Sequence, residues 1–80
     1  MRIEFTTASR KHRIGRARVR HVMATTQPEL VVTNRGEEGW RYVGPDDRGL
    51  ILEVIAVETD DDTLLVIHVM PYDFRGESNG

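Results

Sequence analysis

His68 interrupts an otherwise apolar run, Thr-Leu-Leu-Val-Ile-His-Val-Met at 63–70, which Pro71 stops. Such a run reads as a strand. The acidic turn Asp60-Asp61-Asp62 precedes it, and before that lies a second strand, Leu-Ile-Leu-Glu-Val-Ile-Ala-Val-Glu at 50–58. A turn centred between Asp60 and Asp61 sets Glu53 opposite His68. The turn-rich segment 44–49, if centred on Asp47, sets Arg41 opposite Glu53. Arg41, Glu53 and His68 then form one cross-strand row with neighbours about 5 Å apart. Trp40, Tyr42, Leu52, Val54, Leu65, Ile67 and Val69 fall on the other face. Chemically, a Glu orients the imidazole, and an Arg beside it could hold a scissile phosphate. The row could therefore perform acid–base cleavage of RNA, in which the substrate's own 2′-OH is the nucleophile. The same three residues also read as a charge cluster that solubilises a sheet face, worth about half a kcal/mol per pair. A one-residue slip in register would scatter them, because side chains alternate between faces.

A second constellation is basic. Six of the eleven Lys and Arg residues fall between positions 10 and 20: Arg10, Lys11, Arg13, Arg16, Arg18 and Arg20. His12 and His21 lie in or beside this window, and no acid occurs between Glu4 and Glu29. Residues 1–35 carry eight bases and two acids, whereas 36–80 carry three bases and eleven acids, so a formal net charge of −2 conceals a dipolar molecule. A concentrated cationic patch suits a polyanion such as RNA, or an acidic protein partner. A solvated face offset by the acidic turns is the third reading. Arg16 and Arg18 fall in the expected first helical turn, where free N–H groups disfavour cations by a few tenths of a kcal/mol each. Replacing both with Glu is thus expected to stabilise the free helix slightly while abolishing anion binding.

The elements that must position these groups follow from punctuation and periodicity. Residues 3–6 alternate and could form a short strand. Ser9 can cap a helical turn through the basic residues. Gly15 then punctuates, with Ile14 before it and Val19 four residues after it, the spacing of a hydrophobic staple. Val19, Val22 and Met23 share a helical face, and Pro28 ends the segment, predicting a helix over about 16–25. Strands follow at 30–33 and 40–43, separated by Asn34-Arg35-Gly36. The switch from helical to alternating periodicity predicts an α+β domain: one N-terminal helical segment packed on an antiparallel sheet of three or four strands. Trp40, one of five aromatic residues, is expected in the core.

Eighty residues make one small domain, 1–80, with a polar tail over 73–80 expected to fray. The absence of cysteine removes disulfides and thiolate chemistry. No stretch approaches the roughly 20 apolar residues of a membrane span and no signal peptide is visible, so a cytoplasmic protein without membrane association is expected. The histidines lack metal-ligand spacing, the acidic run 60–62 lacks the calcium-loop pattern, and no phosphate loop or nucleophile elbow is present. Neither metal nor cofactor is therefore expected.

Taken together, Lys11-His12-Arg13-Ile14, the following helix, Arg41-Tyr42-Val43-Gly44 before a Gly-Leu-x-Leu-Glu-Val-Ile strand, and Ile67-His68-Val69-Met70-Pro71 resemble the BrnT-type toxins of bacterial toxin–antitoxin pairs. The ending is closer still to small actinobacterial relatives with an Ile-His-Ala-Met-Pro segment. The resemblance covers roughly residues 5–72. It implies a RelE-like α+β fold, ribonuclease activity against messenger RNA, and a dimeric, DNA-binding antitoxin as partner. Where such toxins carry arginines after the final strand, Arg75 is the residue available. The candidate catalytic set is then His68, Arg41, Glu53 and Arg75. The alternative is a non-catalytic module that binds an acidic protein or nucleic acid through its basic segment.

Overall fold

The computed structural model describes residues 2–72. Five strands form one sheet: β1 (Arg2–Phe5), β2 (Glu29–Val32), β3 (Glu38–Pro45), β4 (Ile51–Glu58) and β5 (Thr63–Pro71). One helix, α1 (Arg16–Thr25), follows a 3-10 turn at Ala8–Arg10. The sheet order is β1-β5-β4-β3-β2, antiparallel throughout except that β1 runs parallel to β5. The α+β class and the helix over 16–25 agree with the sequence. The three- or four-stranded antiparallel sheet does not: the alternating segment at 3–6 joins as a fifth strand, and joins in parallel. Ile3 and Phe5 explain that docking, because their pairing with Leu64 and Val66 extends the apolar face beneath the helix.

Helix α1 starts where the staple spacing places it. Gly15 is the N-cap, Ile14 packs against the core from one side of it, and Val19 is buried on the other. Ser9 does not cap a turn; it is buried inside the 3-10 turn, and its hydroxyl donates to the Thr6 carbonyl at 2.7 Å. Val19 and Val22 close over Tyr42, Leu52, Val54, Ala56, Leu64, Val66 and Val69. Trp40 is only half buried at the rim of this cluster, and Tyr42 takes the interior place instead. The helix end lies so close to β3 that a Cβ at Gly44 would stand 2.2 Å from the Thr26 hydroxyl. Glycine at 44 is thus a packing requirement, not a turn signal.

Candidate functional site

The cluster on the sheet face opposite α1 depends on two registers. Between β3 and β4, Arg41 lies opposite Ile55 and Val43 opposite Glu53, so Arg41 meets Glu53 diagonally, not directly. The displacement is two residues, which preserves the face. Between β4 and β5, Glu58 pairs with Leu64 and Ala56 with Val66 near the turn. Continued unbroken, that register would place His68 opposite Val54, under the helix. A bulge intervenes: Ile55 pairs with His68 while Ala56 pairs with Val66, leaving Ile67 as the extra residue. The bulge turns His68 to the open face, a re-aiming of a side chain that such irregularities commonly provide. Leu65 and Ile67, expected under the helix, are on the open face because the turn centres on Asp61 and sets Leu65 opposite Val57; both line a cleft with His68.

Glu53 is the hinge of the arrangement. It is 2 % exposed in the middle of β4. Arg41 Nε donates to its Oε2 at 2.7 Å, and His68 Nε2 donates to its Oε1 at 3.0 Å. Arg41 Nη1 also donates to Glu29 Oε1 at 2.6 Å. The hydrogen bonds it donates to Glu53 and then Glu29 raise the guanidinium's pKa further, so Arg41 is a permanent cation held between two carboxylates. A carboxylate enclosed this deeply is tolerated because a guanidinium and an imidazole N–H satisfy it. His68 remains 37 % exposed in its side chain, with Nε2 fixed on Glu53 and Nδ1 left for proton transfer. The group stands in an open cleft of about 1000 Å³ whose apolar floor includes Val31, Ile55, Leu65 and Ile67.

The basic segment is divided by the fold. Arg10, Lys11, Arg13, Arg16 and Arg20 are exposed. Arg10, Arg13 and Arg16 line a shallow depression with Ile14 and Gly15. Arg13 adopts a positive φ of 58° there. Arg16 and Arg20 stand over the Phe5 ring, 5.9 and 5.6 Å from its centroid, which holds both cations at the surface. Arg18 separates from the group. Its Nε and Nη2 both reach Asp46 Oδ2 at 2.7 Å. Asp46 also accepts from the N–H groups of Arg48 at 2.8 Å and Leu50 at 2.9 Å, closing the β3–β4 turn. Enclosure opposes ionisation of Asp46, yet Arg18 and the two backbone donors outweigh it and hold the carboxyl below its ordinary range. Arg18 is therefore a strut between α1 and this turn. Exchanging it for Glu would set two carboxylates against each other and would not stabilise the helix.

The structure brings together His68, Glu53 and Arg41, links Arg10, Arg13, Arg16 and Arg20 on one surface, leaves Lys11 exposed, and removes Arg18 from the group. Arg75 and the tail 73–80 lie outside the described residues. Glu29 is a member of the cluster that the sequence reading missed, although a hairpin centred on Arg35 would have set it opposite Arg41, as observed. Asp46 was also missed; its signal was the Asx-turn chemistry of Pro45-Asp46-Asp47. Among the described residues no group of three or more His, Asp or Glu side chains could hold a metal ion, and no helix is long and apolar enough to cross a membrane. Comparison of the chain with protein-family models, curated proteins and solved structures finds no significant match.

Proposed function

We propose that this chain is a toxin-like, cytoplasmic endoribonuclease of a bacterial toxin–antitoxin pair, with a RelE-like arrangement of helix and sheet, acting by acid–base chemistry without metal. The observation that carries this reading is the buried Glu53 gripping both Arg41 and His68 on the sheet face opposite α1. In the proposed reaction His68 Nδ1 accepts the proton of a ribose 2′-OH, and that oxygen bonds to the adjacent phosphorus. The bond to the 5′-oxygen breaks, the leaving oxygen takes a proton from solvent, and a 2′,3′-cyclic phosphate remains. Arg41, a cation on the same face, offsets charge on the phosphorane. Arg10, Lys11, Arg13, Arg16 and Arg20 would hold the RNA backbone. The test is cleavage of a messenger RNA by purified protein in chelator, together with growth arrest on induced expression. Intact RNA and unaffected growth would reject the reading.

A second reading is supported by the basic surface itself: among the described residues, none of those five cations is in an ion pair. On this reading the chain is a non-catalytic module whose cationic surface docks an acidic partner, and the bridge at Glu53 is structural. An antitoxin with an acidic face would use the same surface under either reading. Binding without cleavage, unaffected by His68→Ala, would favour the module.

A further inference from the structure

The two edges of the sheet are built differently. Edge β1 carries Arg2 and Glu4, both exposed and ion-paired with each other at 3.4 Å, and Arg2 also reaches Asp61 at 3.3 Å. Charges of this kind guard an edge against pairing with another strand. Edge β2 has no such guard. Its single charge, Glu29, is turned inward onto Arg41. Leu30 and Val32 are 57 % and 70 % exposed, and both lie on the helix side of the sheet, opposite Trp40 and Glu38.

The hydrogen bond from Thr33 N to Glu37 O at 2.7 Å fixes which backbone groups of β2 face β3. Alternation then turns the Thr33, Val31 and Glu29 groups inward and the N–H and C=O of Leu30 and Val32 outward. Among the described residues, the β2 positions with unpaired backbone are therefore those with exposed apolar side chains. We propose that β2 pairs antiparallel with β2 of a second copy of this chain, with the two-fold axis at Val31. In that register Leu30 exchanges both backbone hydrogen bonds with Val32 of the other copy, and Val32 with its Leu30. Every outward group of the strand is satisfied and each exposed apolar side chain covers another. Glu29 falls opposite Thr33, so no like charges meet. Registers displaced by two residues fail: one sets Val32 against Pro28, which has no N–H, and the other sets Leu30 against Asn34 in the turn.

The axis is perpendicular to the sheet, so both helices lie on one side and both open faces on the other. Val31, which lines the cleft of each copy, stands at the junction. The two Glu53 clusters then face the same direction across five strand spacings, roughly 24 Å. The pairing turns two separate clefts into one continuous floor ten strands wide.

The test uses the whole chain, which has no native cysteine. Sedimentation should give a concentration-dependent dimer. Val32→Lys, at an exposed position, should weaken it at least about tenfold with an unchanged circular dichroism spectrum. Under mild oxidation Val31→Cys should cross-link to a dimer, because its copies meet on the axis about 4.5 Å apart between Cα atoms, while Leu30→Cys should not. A wild-type chain that stays monomeric at millimolar concentration overturns the proposal and leaves the edge to a strand of another protein. So does a dimer indifferent to Val32→Lys, or one that cross-links through residue 30 and not 31.

Discussion

Asp46 and Glu53 are both enclosed carboxylates, and they are held in different ways. Asp46 takes two backbone N–H groups from its own turn and one guanidinium, Arg18, from the helix. Backbone donors cannot swing away, so the charge is committed to joining α1 to the β3–β4 turn. Glu53 is gripped by side chains, Arg41 and His68, on a face open to solvent. Those partners can meet a ligand while Glu53 stays in place. Burial of a charge thus marks a strut in one case and a candidate reaction centre in the other. The donors, and the face on which they stand, make the distinction.

The largest effect should come from the open face. His68→Ala should lower RNA cleavage about 10²–10⁴-fold, the usual consequence of losing a general acid or base, with a cooperative thermal transition retained. Single-turnover cleavage by the folded variant measures this directly. Undiminished cleavage would make the Glu53 group a second strut and erase the contrast.

Next is the strut itself. Arg18→Glu should lower Tm by roughly 10 °C or more, since it leaves Asp46 enclosed against a like charge. Arg16→Glu, one turn-start away and exposed, should leave Tm within about 2 °C while weakening RNA binding and its dependence on salt. Equal Tm values for the two variants would show that Asp46 needs only its backbone donors.

How legible this was in the sequence depended on what kind of physics set each feature. The helix boundaries were readable because Gly15, the Ile14–Val19 spacing and Pro28 act locally. The shared face of Arg41, Glu53 and His68 was inferred from turn centres, and the β3–β4 error of two residues preserved the side. The β4–β5 outcome was less direct. The turn centres on Asp61, which alone would have turned His68 inward, and the Ile67 bulge restores its side. The shifted turn centre puts Leu65 and Ile67 on the face opposite to the one expected, and no local signal marks the bulge that keeps His68 on its own. The parallel docking of β1 against β5 and the reach of Arg18 to Asp46 are long-range contacts, 61 and 28 residues apart, which periodicity does not encode. Trp40 lies on the expected face but toward the β2 side, at the margin of the helix's cover, and so is half buried.

The two carboxylates should also separate under acid. Asp46 has a lowered folded-state pKa, so the stability it contributes is present above the unfolded value of about 3.9 and is lost as pH falls through the folded value. Urea midpoints should therefore drop below about pH 4. Asp46→Asn should start from a lower midpoint and show a shallower acid limb. An acid limb of unchanged steepness in that variant would place the titrating group elsewhere, with Asp61, also lowered, chiefly by the hydrogen bond it accepts from Thr59, the next candidate.

The smallest expected effect concerns Glu29, and it bears most closely on whether the Arg41 guanidinium is available for binding. Glu29 is 62 % exposed in its side chain and holds Arg41 Nη1 from the edge strand, so the pair contributes at most about 1 kcal/mol to stability. Glu29→Gln should barely move the urea midpoint. Its effect on anion binding has the opposite sign from that of a lost stabilising contact. With one of its two carboxylates neutralised, Arg41 remains tied to Glu53 through Nε but gains a free Nη1 donor and a more positive local potential. Affinity for a short RNA should rise about two- to fivefold, and the salt dependence should steepen by up to about one phosphate contact. The same substitution at Glu37, exposed in the turn after β2, serves as the control for a simple change in net charge. Tightening at 29 and not at 37 identifies Arg41 as the cation that meets the phosphate. Equal tightening at both positions would reduce the effect to net charge and leave Arg41, like Arg18, a strut.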